Sequence, residues 1–215
     1  MTKNLKKRIY TSFILIFLIF LISISKYILL YTLLVLSVIS SLEFINNKKK
    51  IFKNFFYKLI SCMFYLSYIF LFCLFFFFFT QISQFKIIIF SLLLGCAASD
   101  IGGFIFGKIF KGPKLSKISP NKTISGSIGS FFLTGLVFST SIFYFTSNFS
   151  LKIIIISFIT SLICQVGDLL FSYLKRNAKI KDTGNFFPGH GGVLDRIDGM
   201  LFGIPAGFLS LVIFY

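Results

Sequence analysis

The chain has 215 residues, of which 56% are apolar, and its mean hydropathy is +0.92. Soluble domains are about 45–50% apolar, so this composition excludes an ordinary water-soluble domain. A formal net charge of +16 would suggest a nucleic-acid partner in a soluble protein. Here the charge follows the predicted membrane topology instead, and we expect no nucleic-acid partner.

Seven apolar runs come close to or exceed the ~18 residues that a membrane-spanning helix needs. A single residue, Lys26, separates the first two runs, which favours a tight hairpin. The sequence therefore predicts an all-α integral membrane protein, a polytopic bundle of about seven transmembrane helices. In chain order the predicted spans are 9–25, 27–45, 55–80, 86–107, 125–147, 152–174 and 197–215.

Lysine and arginine alternate between the two ends of these spans. Four lie at 3–8, and five lie in each of 46–58, 108–122 and 175–196. The opposite ends hold only three, which are Lys26, Lys86 and Lys152. Cytoplasmic loops carry such an excess of basic residues. The pattern predicts a cytoplasmic N-terminus and a basic cytoplasmic face that also attracts anionic membrane lipid.

Polar residues are concentrated in the second half of the chain. Residues 1–95 contain one acid, Glu43, at a helix end, and no cluster of polar groups. We expect them to be N-terminal transmembrane scaffold helices. Residues 96–215 are predicted to form a C-terminal transmembrane catalytic region with its site on the cytoplasmic side, within one membrane domain overall.

Two acids fall inside predicted spans, Asp100 and Asp168. A charged residue at a helix centre costs about 2.5–3.5 kcal/mol on insertion scales, and such residues usually face the interior of a bundle or a water-filled cavity. An interfacial acid that pairs with a nearby lysine is the alternative for both. Gln165 and Ser172 share a helix face with Asp168. We therefore expect this polar stripe to point inward.

The loop 108–126 places Lys122 and Thr123 after a proline and before a run of glycines. A charge and a hydroxyl there could contact a phosphate, or the loop could be a solvated basic segment that only sets topology. Just upstream, Gly102 to Lys108 matches most of a nucleotide-binding Gly-x-x-x-x-Gly-Lys pattern. Ile109 follows it where Ser or Thr is needed, so we predict instead that these glycines allow close helix packing.

The stretch 165–199 holds the chemistry that phosphate transfer on a divalent metal would need. Three of the six carboxylates, Asp182, Asp195 and Asp198, fall between Lys175 and Gly199. Carboxylates are hard oxygen ligands, and a fixed basic cluster can neutralise phosphate charge. His190, the only histidine, could contact a phosphate or a base, or could serve only as a hydrogen-bonding loop residue.

This stretch resembles the signature of phosphatidate cytidylyltransferases, also called CDP-diacylglycerol synthases. The matching residues read Ser172-x-Leu-Lys175-Arg176-x4-Lys181-Asp182-x-Gly184-x2-Phe187-Pro188-x-His190-Gly191-Gly192-Val193-x-Asp195-Arg196-Ile197-Asp198. Upstream, Gln165-x-Gly167-Asp168-Leu169 and Ser119-Pro120-Asn-Lys122-Thr123 also resemble segments of that family. The likeness is good over about 100–199. One departure is Ser125, where the family often has Glu.

The resemblance implies a magnesium-dependent nucleotidyltransferase in phospholipid biosynthesis. It would convert CTP and phosphatidic acid to CDP-diacylglycerol and pyrophosphate, and a second metal or a monovalent ion is compatible with this. The catalytic residues would be Asp168, Asp195, Lys175 and Arg176. The metal ligands would be Asp168 and Asp195 first, then Asp198. Substrate phosphate would be bound by Lys122, Thr123, Lys179, Lys181, His190, Gly191, Gly192 and Arg196.

Three other functions compete with this one. Asp195-x-x-Asp198-Gly199 resembles the opening of the CDP-alcohol phosphatidyltransferase pattern, but the further acids of that pattern do not follow. A transporter would explain Asp100 and Asp168 but not the dense 172–198 motif, and a scaffold protein predicts no nucleotide dependence. The family resemblance suggests a homodimer, and the short loops favour a bacterial inner membrane.

Overall fold

Seven α-helices follow one another along the described part of the chain. The structure, a computed structural model, describes residues 3–51, 54–116, 118–147, 149–187 and 191–215, without the side chains of 3–9 and 48–50. Each helix coincides with one predicted apolar run, which confirms the all-helical polytopic fold. The helices are α1 Lys3–Ile24, α2 Lys26–Ile51, α3 Phe55–Thr80, α4 Ser83–Phe110, α5 Ile124–Thr146, α6 Leu151–Asn177 and α7 Leu194–Phe214.

Six of these helices, α2 to α7, are long and apolar enough to cross a membrane, among the residues that the structure describes. The part of α1 with described side chains, Tyr10–Ile24, is shorter than the usual minimum for a span. Large side chains such as Phe64 and Phe104 are 72% and 70% exposed. Lipid tails accept such side chains, whereas water does not. The helices therefore indicate an integral membrane protein, and the cytoplasmic N-terminus stays a prediction.

The chain divides into two compact units. The first unit comprises Met1–Gln81 and Leu174–Ile197, and the second comprises Ile82–Tyr173 and Asp198–Tyr215. In the first unit α2 packs against both α1 and α3. The ring of Phe44 on α2 stacks on Tyr65 of α3 with 4.1 Å between ring centroids. The division predicted from sequence at 95/96 is a different partition and stays a prediction.

In the second unit, glycines bring α4 and α5 into backbone contact. A Cβ added at Gly102 would lie 2.5 Å from the carbonyl oxygen of Gly129, and one at Gly103 would lie 2.9 Å from Ser130 Oγ. Buried hydroxyls add hydrogen bonds across the same contact, since Ser130 Oγ donates to the Ser99 carbonyl at 2.7 Å. Small residues and interhelical hydrogen bonds are typical of helix packing in membranes. The predicted packing role of Gly102 and Gly103 is confirmed.

We expect Gly102→Ala to destabilise the second unit by about 1–3 kcal/mol, as overpacking of a tight contact does. The atoms in the way are backbone atoms of Gly129, so no side chain can rotate to relieve the clash. Gly95→Ala on the same helix is the matched control, because its Cβ would meet Thr134 Cγ2 at an ordinary 3.5 Å. Thermal unfolding in detergent should show a lower midpoint for Gly102→Ala only. Equal midpoints in the two variants would contradict the packing assignment.

Candidate active site

Four of the residues predicted to do chemistry form two ion pairs, one in each unit, and each pair is the centre of a polar cluster. In the second unit, Lys122 Nζ forms a salt bridge with Asp168 Oδ2. The two side chains are 25% and 28% exposed. Two of the residues singled out from the sequence are therefore in direct contact, although 46 positions separate them in the chain.

A short hairpin between α4 and α5 places Lys122. Its backbone N–H donates to the Ser119 carbonyl at 3.0 Å, which closes a turn, and its own carbonyl accepts from Leu115 N at 2.8 Å. Lys114 and Thr123 form an isolated antiparallel β-bridge, a backbone pairing across the hairpin. Pro120 within the turn pre-sets the backbone for it. Backbone hydrogen bonds of the hairpin thus hold Lys122 in place.

Asp168 belongs to the predicted polar stripe on α6. Gln165, one turn before it, accepts a hydrogen bond from Ser127 Oγ on α5 and donates to Ser161 Oγ at 3.3 Å. Ser172, one turn after it, is buried at 8% exposure. Gln165 and Ser172 on this stripe face other protein groups, and α6 holds the Asp168 carboxylate beside the hairpin. Its pairing with Lys122 agrees with the alternative given above, an acid paired with a nearby lysine.

Thr123 has a structural role in this cluster. It is the N-cap of α5, and its Oγ1 accepts a hydrogen bond from Gly126 N at 3.1 Å. Ser125 shares a hydrogen bond with Thr123 Oγ1 at 3.0 Å and donates to the Lys111 carbonyl at 3.2 Å. Threonine is a favoured N-cap because its hydroxyl satisfies an unpaired amide of the first turn. Phosphate binding by Thr123 stays a prediction.

Two further acids of the second unit were considered from the sequence. Asp198 is buried at 7% exposure, and its Oδ1 accepts from Gly199 N at 2.9 Å. Asp100 lies on α4 with an exposed side chain. Neither falls in a group of three metal-binding side chains within the part of the chain that the structure describes. Asp198 as a metal ligand therefore remains a prediction.

The first unit holds the second cluster, centred on Lys175 and Asp195. Lys175 Nζ donates to Asp195 Oδ1 at 2.9 Å, with side chains that are 14% and 4% exposed. The other oxygen, Oδ2, accepts the backbone amides of Thr183 at 2.7 Å and Gly192 at 2.9 Å. An ion pair this deep is stable only when hydrogen bonds satisfy its remaining positions. Asp195 meets that condition with three donors.

The other predicted basic residues of this unit lie at its surface. The end of α6 is closed by Lys179, which takes a left-handed backbone conformation with φ of 54°, and Ile180 N donates to the Lys175 carbonyl at 3.0 Å. This is the hydrogen-bond pattern that commonly ends a helix. The basic residues with exposed side chains are Arg176, Lys179, Lys181 and Arg196, and the side chain of the acid Asp182 is exposed as well.

The two described glycines of the predicted phosphate loop contact Asp195. Gly191 has a φ of +84°, and a Cβ there would lie 2.9 Å from Asp195 Oδ2. Gly192 uses its amide for the hydrogen bond to the same oxygen. Their observed role is to let the loop approach a carboxylate, and phosphate binding by them stays a prediction. His190 lies outside the described residues.

Comparison of the sequence with known protein families gives a match over almost the whole chain. A model of the cytidylyltransferase family matches residues 5–214. The chain belongs to that family. Both polar clusters lie within the matched region.

Named relatives are similar over about half of the chain. A phosphatidate cytidylyltransferase of Helicobacter pylori (strain J99) is 42% identical over 117 residues, 52% of this chain and 42% of the relative. One from Rickettsia felis is 42% identical over 133 residues, 57% and 58% of the two chains. One from Staphylococcus aureus (strain COL) is 41% identical over 109 residues, 50% and 42%. The chain thus spans about half the length of these relatives.

The carboxylates fit a magnesium ion by chemistry. A carboxylate offers about four acceptor positions on two oxygens. Lys122 takes one on Asp168, and the three donors to Asp195 leave one position on its Oδ1. Magnesium in proteins is usually held by one or two carboxylates together with substrate phosphates and water. Asp168 and Asp195 therefore each retain the capacity of a single-oxygen ligand.

Glu43 makes the contact with the Lys175–Asp195 cluster that the sequence analysis did not predict. Its carboxylate on α2 accepts hydrogen bonds from Thr183 Oγ1, Val193 N and Leu194 N, each at 2.9 Å. Asn47, one turn on, donates to the Thr183 carbonyl at 2.7 Å. The partners of Glu43 lie at 183–194, outside the scaffold region predicted at 1–95, so the prediction for that region stays a prediction. The available signal was the cost of placing an acid at the end of an apolar run.

Proposed function

We propose that this chain transfers the cytidylyl group of CTP to phosphatidic acid, giving CDP-diacylglycerol and pyrophosphate for phospholipid biosynthesis. The observation that carries the proposal is the family match over residues 5–214. Relatives about 42% identical to this chain are named phosphatidate cytidylyltransferase, which specifies the lipid substrate. The Lys122–Asp168 and Lys175–Asp195 pairs supply the charges that such a transfer requires.

The chemistry needs little from a general base. One oxygen of the phosphatidic acid phosphate attacks the α-phosphorus of CTP, and the bond from that phosphorus to the bridging oxygen of the β-phosphate breaks. A phosphate monoester has a second pKa near 6 and is largely dianionic at pH 7, so no proton has to be removed first. The protein's task is to position the two substrates and to offset negative charge.

The lysines of the two pairs are suited to that task. Each is only partly exposed, and each is held against a carboxylate by its surroundings. An ammonium group in such a site attracts an incoming phosphate more strongly than one in open water does. We assign Lys122 and Lys175 to substrate phosphates, with Arg176, Lys179, Lys181 and Arg196 as exposed cations that draw the anionic substrates in.

Asp168 and Asp195 are each proposed as a ligand of Mg²⁺, with Asp198 as a further candidate. When bound, Mg²⁺ supplies charge neutralisation on the phosphate oxygens and favours departure of pyrophosphate. Lys122 and Lys175, which contact these carboxylates, would then be available to phosphate oxygens. A second metal or a monovalent ion is compatible with this assignment.

The proposed setting is a bacterial inner membrane with the reacting groups on the cytoplasmic side. The distribution of basic residues supports this orientation, since 19 of the 22 fall on one side of the predicted topology. CTP is a cytoplasmic nucleotide and phosphatidic acid is a membrane lipid, so the site needs access to both. A homodimer is part of the proposal only through the family resemblance.

Labelled CTP tests the reaction type directly. Phosphorus label at the α-position is expected in the lipid product, and label at the γ-position in pyrophosphate. Phosphoryl transfer by a lipid kinase would send the γ-label to the lipid instead. That result, or retention of both labels in soluble nucleotide with folded protein, would overturn the proposal.

A further inference from the structure

A buried carboxylate from the N-terminal helices holds the loop that precedes α7. Glu43 lies on α2 and is only 8% exposed. Its Oε1 accepts from Val193 N, and its Oε2 accepts from Leu194 N and from the hydroxyl of Thr183, all at 2.9 Å. These contacts span 140 to 151 positions of sequence within the first unit. A carboxylate with three donors at this depth is a built site and not an accident of surface packing.

Glu43 caps the N-terminus of α7 by accepting hydrogen bonds from backbone amides there. A capping residue normally lies next to the helix in sequence, whereas Glu43 lies on α2. The first amides of a helix have no intrahelical partner, and a nearby negative charge stabilises them. At this helix start, the backbone amides of Val193 and Leu194 both donate to Glu43. The amide of Gly192, just before them, donates to Asp195. Two carboxylates thus share the start of one helix.

Two glycines make room for this contact. A Cβ at Gly184 would lie 2.5 Å from Glu43 Oε1, and one at Gly192 would lie 2.4 Å from Oε2. Both distances are far shorter than side-chain contacts allow. These two glycines, which belong to the motif described above, therefore leave space for the carboxylate of Glu43, which lies outside that motif.

Thr183 joins Glu43 to the Lys175–Asp195 pair. Its hydroxyl donates to Glu43 and its backbone amide donates to Asp195 at 2.7 Å. Asn47 holds the Thr183 carbonyl from the same face of α2. Moving Glu43 would release Thr183 and the start of α7 together. The Asp195 carboxylate is oriented by its hydrogen bond from Thr183 and by its position in the first turn of α7. Lys175 in turn is held by Asp195.

We propose that Glu43 is a positioning residue for the Lys175–Asp195 pair, and this inference rests on the cytidylyl-transfer function proposed above. Glu43 does not contact the reacting groups in this account. It acts by clamping Thr183, Val193 and Leu194 so that Asp195 keeps one fixed orientation. The N-terminal helices thereby contribute to catalysis as well as to membrane anchoring.

The test compares Glu43→Gln with Ser40→Ala in the purified 215-residue chain in detergent. Glutamine keeps the shape, but its amide nitrogen cannot accept from a backbone amide. Ser40 is a buried residue about one turn before Glu43, and its hydroxyl donates to the Ser37 carbonyl within α2. The readouts are hydrogen exchange of peptides covering 191–200, and kcat and KM per folded molecule with CTP, magnesium and short-chain phosphatidic acid.

For Glu43→Gln we expect faster exchange at Val193 and Leu194 and a fall in kcat of about 10-fold or more. Ser40→Ala should match the parent chain in both. Glu43→Asp, which keeps the charge on a shorter side chain, should recover part of kcat. Normal turnover per folded Glu43→Gln molecule would reduce Glu43 to a stabilising residue and overturn the proposal, as would unchanged exchange.

A second variant covers the case in which Glu43→Gln does not fold. Thr183→Val removes the hydroxyl that donates to Glu43. It leaves in place the hydrogen bond from the Thr183 backbone amide to Asp195. It should give a smaller loss of kcat with faster exchange near the start of α7, and parent-like values in both would overturn the proposal. If the parent chain itself makes no CDP-lipid, the proposed function fails, while the exchange data still decide whether Glu43 clamps this helix.

Discussion

Replacing Asp168 with asparagine is expected to lower CDP-diacylglycerol formation by about 100-fold or more, the size of effect seen when a charge-stabilising group is removed from an active site. Asparagine has the same shape but no charge, so it can neither hold a magnesium ion well nor pair with Lys122. Asp168 is 28% exposed and lies beside an ordered hairpin, so the fold should survive. The measurement is kcat/KM of purified protein at saturating magnesium.

Membrane insertion and folding serve as controls for this variant. Lys152→Met removes one charge at an exposed position of the same unit and should leave activity near that of the parent. Elution from a sizing column should be unchanged in both variants. Near-normal turnover by Asp168→Asn would contradict the assignment of this carboxylate to the reaction.

Asp195→Asn is expected to damage the fold as well as the activity. The substitution leaves the Lys175 ammonium, 14% exposed, without its carboxylate, and places an amide nitrogen among backbone N–H donors of Thr183 and Gly192. Removing one partner of a buried ion pair costs about 3 kcal/mol or more. Denaturant unfolding in detergent should therefore show a large loss of stability, with little turnover remaining.

The double variant Lys175→Met with Asp195→Asn separates charge burial from hydrogen bonding. Methionine removes the buried cation, so the pair of substitutions should cost less than the sum of the two single ones. Activity should stay low because both groups are assigned to the reaction. Strictly additive losses of stability would show that the two side chains do not depend on each other.

The helices could be predicted because each one is an apolar run of membrane-spanning length. Their ends were predicted less well where polar residues continue the helix. α7 was expected to begin at 197 but begins at Leu194, since its first turn is polar and is stabilised by Glu43 and Asp195. α2 likewise continues to Ile51, beyond the predicted end at 45. Hydropathy reports the lipid-facing length of a helix, whereas capping decides where it starts and stops.

The candidate site was predictable in kind but not in its contacts. Asp168, Lys122, Lys175 and Asp195 were identified from residue type, spacing and family resemblance, and the structure brings them together in two pairs. Which lysine meets which acid depends on packing between distant segments. The contacts of Glu43 were missed for the same reason: its place at the end of an apolar run marks it as unusual, but its partners lie 140 or more positions away.

Turnover of the purified protein in detergent with CTP, magnesium and short-chain phosphatidic acid tests the proposed function most directly. Pyrophosphate release and a CDP-lipid product are followed together, with each component omitted in turn. We predict a product that requires all three components and is lost in Asp168→Asn. Folded protein that forms no CDP-lipid would contradict the proposed function and would favour a transporter or a scaffold that has kept the sequence signature without the activity.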